Sequence, residues 1–205
     1  MPTLEVRILS RRLKRPFVIS TGARTVQTAV EVRLREAGLE GRGEASGVSY
    51  LGETAEGLAA AIEQVRGPLE AGATREELVG LMAPGGARFA VDSALWDLES
   101  ARSGRAVADQ LGLSAPAPLV SAFTISLDTP EAMEAAAREA AGLGLLKVKL
   151  GARDGRDGER ARAVRRGAPD SVLIADANAG WTLDTLARDA EVLAVCRRAV
   201  DALVA

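Results

Sequence analysis

From residue 119 onward the sequence repeats one unit, a short apolar strand followed by a helix. That repetition restricts this part of the chain to a parallel sheet or barrel. Leu119–Leu127 reads as the first strand. Thr129-Pro130-Glu131 then supplies a helix N-cap, a proline at the first helical position and an early acid. The Ala- and Glu-rich helix runs to Ala141 and stops at Gly142 and Gly144. Leu145–Leu150 is the second strand, followed by a turn over Gly151–Gly158, a helix to Arg166 and a stop at Gly167 and Pro169. Ser171–Asn178 is the third strand, so the strand centres fall near residues 124, 148 and 174. A helical stretch starts at Thr182, continues with an irregular apolar stripe over Asp189–Ala205, and no fourth strand follows. Three such units do not close a barrel of about eight strands. The sequence therefore predicts either a small open α/β sheet or part of a longer architecture.

The first half has a different style. Thr3–Leu9, Thr28–Glu36 and Leu39–Ala45 alternate as strands, with Gly38 and Gly41 as turn points. Val30, Val32 and Leu34 share one parity, as in a half-buried antiparallel strand. The polar segment Ile19–Thr25 reads as a loop. Helical spacing follows over 53–66, 75–82 and 87–102, where Phe89, Ala90, Ala94, Leu95 and Leu98 gather on one face. The expected organisation is an α+β domain over 1–115 and a strand–helix domain over 116–205.

Composition narrows the chemistry. The chain has no histidine and a single cysteine, Cys196, which removes Ser-His-Asp triads, zinc motifs built on His and any internal disulfide. The formal net charge of −2 and an aromatic content of 3% give no case for nucleic acid. No run of 18 apolar residues marks a membrane span and no signal h-region is visible, so the expected compartment is the cytoplasm. Of 26 cationic residues only Lys14, Lys147 and Lys149 are lysines. Arg keeps its proton near neutral pH, whereas a lysine can serve as a base. Two of three lysines in one strand therefore point to proton chemistry.

Alternation puts Lys147 and Lys149 on one face of their strand and Val148 and Leu150 on the other. The plainer alternative is a strand end whose lysines reach solvent. On the next strand, Asp176 and Asn178 share a face at the carboxyl end, where catalytic groups of parallel barrels collect. A carboxylate and an amide there suit a hard cation such as Mg²⁺; the plainer alternative is an Asx turn into Gly180. Thr124 holds the corresponding place on the first strand. Read alone, it is an ordinary strand threonine.

Together, Thr124-Ile125-Ser126, Lys147-Val148-Lys149 and Asp176-Ala177-Asn178 on consecutive strands resemble the enolase superfamily in its muconate-lactonising subgroup, whose hallmark is K-x-K on the second barrel strand. Pro16–Ser20 with Gly22 and Arg24, and Thr129–Met133, resemble dipeptide epimerases of the L-Ala-D/L-Glu type. The resemblance covers about residues 1–187. It implies an enolase-like capping domain followed by the first three βα units of a TIM-type (β/α)₇β barrel. It also implies a dipeptide substrate whose carboxylate is held by Mg²⁺. Lys149 would remove or return the proton α to that carboxylate, and Lys147 would supply positive charge to the developing enediolate. Asp176 would be a metal ligand with Asn178 behind it, while Arg24, on a capping loop, and Thr124 would touch the substrate. The family draws further metal carboxylates and an opposing lysine from later strands. The resemblance therefore implies a C-terminally truncated chain of impaired activity, whose open edges favour homo-oligomers. The alternatives are an o-succinylbenzoate synthase or N-acylamino acid racemase of the same subgroup, or a non-catalytic remnant.

Overall fold

The computed structural model describes residues 1–114, 117–188 and 190–196. Element order is β1 (Thr3–Ile19), β2 (Gly22–Glu36), β3 (Leu39–Ala45), α1 (Ala55–Gln64), α2 (Arg66–Glu70), α3 (Arg75–Leu81), α4 (Gly86–Ser103), α5 (Val107–Gln110), β4 (Phe123–Ile125), α6 (Pro130–Ala140), β5 (Leu145–Lys149), α7 (Asp157–Gly167), β6 (Val172–Asp176), α8 (Leu183–Arg188) and α9 (Ala190–Cys196). Asp189 and residues 197–205, which belong to the stripe expected over Asp189–Ala205, lie outside the described residues. Among the described residues, no helix is long and apolar enough to cross a membrane.

The chain divides into two compact units, one of Met1–Arg12 with Val26–Ala117 and one of Leu13–Thr25 with Pro118–Ala205. In the first unit, the sheet runs β1-β2-β3, with β2 and β3 antiparallel and Val32 opposite Gly43. Val30, Val32 and Leu34 are fully buried and meet Leu58, Ile62, Ala90, Ala94 and Leu98 in one core. Caps fix where the helices begin. Thr54 accepts the Gly57 amide at the start of α1, and Thr74 and Glu77 form a reciprocal capping box on α3.

The expected loop over Ile19–Thr25 is corrected by the structure. Only Ser20 and Thr21 separate β1 from β2, and the strands extend to Ile19 and from Gly22. The tip carries no apolar alternation because its residues are exposed or half-buried on both faces, which removes the period-two signal a strand otherwise shows.

In the second unit, β4, β5 and β6 form a parallel sheet in that order. Leu146, Val148, Leu150 and Leu173 point to one side and pack with Met133, Ala137, Ala161 and Val164 of α6 and α7. Thr129 caps α6 by accepting the Ala132 amide, with Pro130 in the first turn. The first strand is shorter than Leu119–Leu127, and Leu119 and Val120 are exposed at 92% and 73%. Hydrophobicity there was a poor guide because no neighbouring strand pairs with that stretch in the described sheet.

The loop after β5 is fixed by charge. Arg160, nearly buried, forks onto both oxygens of Asp154 at 2.7 and 2.6 Å. The hydrogen bond from Arg160 is the main cause that holds the Asp154 carboxyl down at about 2, against an ordinary value of 3.8. A depressed folded value adds stability that is complete above the unfolded value and is lost as pH falls from about 4 towards 2. With its side chain 40% exposed, Asp154 contributes about 1 kcal/mol after solvent screening. Asp154→Asn is expected to lower the urea midpoint at about pH 6 and to narrow the gap between wild type and variant near pH 2. An equal gap at both pH values would contradict this assignment.

Candidate active site

The strand register builds the site. Thr124 pairs with Lys147, which pairs with Ile174; one step further along, Lys149 pairs with Asp176. In-register neighbours in a parallel sheet point the same way, so these side chains share the face opposite the α6–α7 core. That face is unevenly covered: the Lys147 side chain is 39% exposed, whereas that of Lys149, at 7%, is buried.

Both lysines converge on one oxygen. Lys147 Nζ lies 2.8 Å and Lys149 Nζ 2.7 Å from Asp176 Oδ2. Lys149 Nζ also donates to Asn178 Oδ1 at 3.0 Å. The other Asp176 oxygen, Oδ1, accepts the Asn178 amide at 2.9 Å. That bond is an Asx turn, and it places Asn178 and Ala179 at φ values of 47° and 58°. The Asx turn, the plainer alternative for Asp-x-Asn, is therefore present, and the same carboxylate engages both lysines. Burial pushes the Asp176 carboxyl up, yet hydrogen bonds from Lys147, Lys149 and the Asn178 amide outweigh it and hold the group well below the usual carboxylate range. Two cations and one anion leave the cluster with one net positive charge, which suits an anionic substrate.

The hairpin tip belongs to the same unit and completes the surroundings. The Phe17 ring lies 5.6 Å from Lys149 Nζ and 5.4 Å from the Arg24 guanidinium carbon. Arg24 sits in β2 rather than on a loop, for the reason given for the hairpin. Ser20 Oγ donates to the Asn178 carbonyl at 3.0 Å. Thr124 shares a groove of about 530 Å³ with Lys14, Phe17 and Ser126. The structure therefore joins Lys147, Lys149, Asp176 and Asn178 directly. It links Arg24 to them through Phe17 and sets Thr124 beside Lys147 by register. Phe17 and Ser20 are contacts that sequence spacing alone does not single out, since they depend on the hairpin folding back over strands more than 100 residues away.

Asp176 fits as one oxygen ligand of a divalent cation, but both its oxygens are engaged by lysines and an amide. Among the described residues, no group of three His, Cys, Asp or Glu side chains is placed to hold a metal ion. The described residues do not make a complete site on their own.

Residues 3–112 match the family model for the mandelate racemase/muconate lactonizing enzyme N-terminal domain. The chain is similar to an L-Ala-D/L-Glu epimerase from Escherichia coli (strain K12), 40% identical over 184 residues that make up 89% of this chain and 57% of that protein. It is also similar to a solved enolase family member from Agrobacterium tumefaciens, described as having homology to dipeptide epimerases and containing sodium and L-Ala-L-Glu. The TM-score is 0.88 at 41% identity, covering 96% of this chain and 60% of that one. A dipeptide epimerase from Cytophaga hutchinsonii, solved with Mg and D-Ala-L-Val, matches with a TM-score of 0.80 at 28% identity over 97% of this chain and 57% of that one. The chain thus spans between 57% and 60% of the length of these relatives.

Proposed function

The chain belongs to the mandelate racemase/muconate lactonizing enzyme family, and on that premise we propose that it carries the proton-transfer strand of a dipeptide epimerase. The observation that carries this reading is the shared Asp176 Oδ2, which gathers Lys147 and Lys149 at the carboxyl ends of parallel strands. In this reading Lys149 removes and returns the proton α to the substrate carboxylate. Lys147 stays cationic and faces the charge that develops on that carboxylate. Arg24 holds the acidic side chain of an Ala-Glu dipeptide, and Thr124 hydrogen-bonds the substrate from the neighbouring strand. The proposed cofactor is Mg²⁺, held in part by Asp176, and when bound it supplies charge that stabilises an enediolate.

Mass spectrometry in D₂O tests the substrate class. L-Ala-L-Glu is expected to gain one deuterium, whereas N-succinyl amino acids gain none. Labelling of the acylated amino acids alone would move the assignment to an acylamino acid racemase.

A single carboxylate offsets little of the cost of dehydrating Mg²⁺. Calorimetry on these 205 residues is expected to give a dissociation constant of about 1 mM or weaker, and Asp176→Ala is expected to remove the remaining heat. Micromolar affinity in the wild-type chain would contradict the ligand assignment.

A further inference from the structure

Apart from Asn178, the segments that follow β5 and β6 carry no part of the proposed chemistry, yet a single buried side chain fastens them together. Asp157, 3% exposed, lies in the first turn of α7. Its Oδ2 accepts the Gly151 amide at 2.8 Å and the Trp181 indole N–H at 2.7 Å. Its Oδ1 accepts from Arg160 at 3.2 Å. Gly151 stands two residues beyond Lys149, and Trp181 three beyond Asn178. Arg160, itself 5% exposed, donates from Nε to the Asp128 carbonyl at 2.8 Å, in the segment after β4. One ion pair on α7 therefore reaches the segments after all three strands of the parallel sheet.

The backbones below this pair cross with no space between them. Gly151 has φ of +88°, and a Cβ there would collide with the Ala177 carbonyl oxygen; a Cβ on Gly180 would lie 2.5 Å from the Gly151 carbonyl oxygen. The Leu150 amide donates to the Asp176 carbonyl at 3.0 Å. A carboxylate is the one side chain that meets these demands at once, since it offers two acceptor oxygens and no donor. Asparagine would turn an NH₂ group towards either the two N–H donors or Arg160.

We propose that Asp157 is a positioning residue: it fastens the segments after β5 and β6 to one point and thereby sets the geometry of Lys149 against Asp176 and Asn178. Its consequence for catalysis rests on the proton-transfer reading, while the positioning itself does not. A base misplaced by about 1 Å loses about 100-fold in rate.

The test is amide hydrogen exchange by NMR on the 205-residue chain, comparing wild type with Asp157→Asn and Trp181→Phe. The Asn178 amide is the reporter, because it donates to Asp176 Oδ1 rather than to Asp157. The Val148 and Leu173 amides report on the sheet. Asp157→Asn is expected to speed Asn178 exchange by about tenfold or more, with Val148 and Leu173 changed by less than about threefold. Trp181→Phe, which keeps an aromatic ring and removes one donor, is expected to produce a smaller rise in the same direction. Unchanged Asn178 exchange in the variants that fold would overturn the proposal. So would a rise matched by Val148 and Leu173, the mark of a merely structural role. If Asp157→Asn does not fold, Trp181→Phe decides the matter alone. Faster Asn178 exchange in a chain that labels no dipeptide would sink the functional reading and leave the positioning role standing.

Discussion

Lys149→Arg is expected to slow deuterium entry at the substrate α-carbon by about 10²–10⁴-fold while leaving the fold intact. Guanidinium keeps its proton at any pH at which the protein is folded, so it can replace the ammonium opposite Asp176 but cannot accept the α-proton. The ion pair to Asp176 Oδ2 and the contact with Phe17 need only a cation. Circular dichroism should therefore give a thermal midpoint close to that of wild type. Lys147→Arg separates the two lysines. The Lys147 side chain is more exposed, and its proposed role requires charge rather than proton exchange, so about tenfold slowing or less is expected there. Equal losses in the two variants would show that the roles are assigned to the wrong residues.

Gly43→Ala is expected to destabilise the first unit by about 3 kcal/mol or more. Gly43 lies on β3 against α4, and its added Cβ would overlap the Ala90 carbonyl oxygen and sit 2.8 Å from the Ala94 nitrogen. Gly41, two residues earlier on the same face, would place a Cβ 2.6 Å from Leu98 Cβ. The colliding atoms include α4 backbone, which cannot rotate away, so the helix must shift off the sheet that buries Val32 and Leu34. Ala90 and Ala94 on the facing helix are small for the same reason: strand and helix pack backbone to backbone. Gly80→Ala on α3 is the control, since nothing lies within 4 Å of its added Cβ. Helix propensity there favours alanine by up to about 1 kcal/mol. Urea denaturation of the two variants should move in opposite directions. A wild-type midpoint for Gly43→Ala would mean that α4 does not rest on β3 as described.

Lys149 and Asp176 could be placed on one face from the sequence, because both lie on short apolar strands with a period of two and the order of strand–helix units dictates parallel neighbours. Their register, and hence the 2.7 Å contact, depends on where each strand begins to pair. The helices with clear punctuation, such as α6 with Thr129 and Pro130, were legible to within a residue or two. The hairpin was not. Residues 10–27 carry little apolar periodicity, and the strand pairing there depends on backbone hydrogen bonds that leave no mark in side-chain pattern. The same limit hides Asp157 and the contacts of Phe17 and Ser20, whose segment the family resemblance marks without naming their partners. Each acts through a contact with a residue on another element, and the residue types alone do not reveal the partner. The pairing of Trp181 with Asp157 likewise needs α7 to be seated before it exists.

In the proposed reading, Lys147 and Lys149 share one strand face, so a proton exchanged through Lys149 leaves and returns on that side. Inversion requires a second group on the opposite side. The central claim, that Lys149 exchanges the α-proton from a single face, is tested most directly by a ¹H NMR time course of L-Ala-L-Glu with these 205 residues and Mg²⁺ in D₂O. The expected result is a slow loss of the Glu α-proton signal, dependent on Lys149, with no signals of L-Ala-D-Glu. Growth of the second diastereomer in step with deuterium entry, or exchange that survives Lys149→Arg, would contradict it.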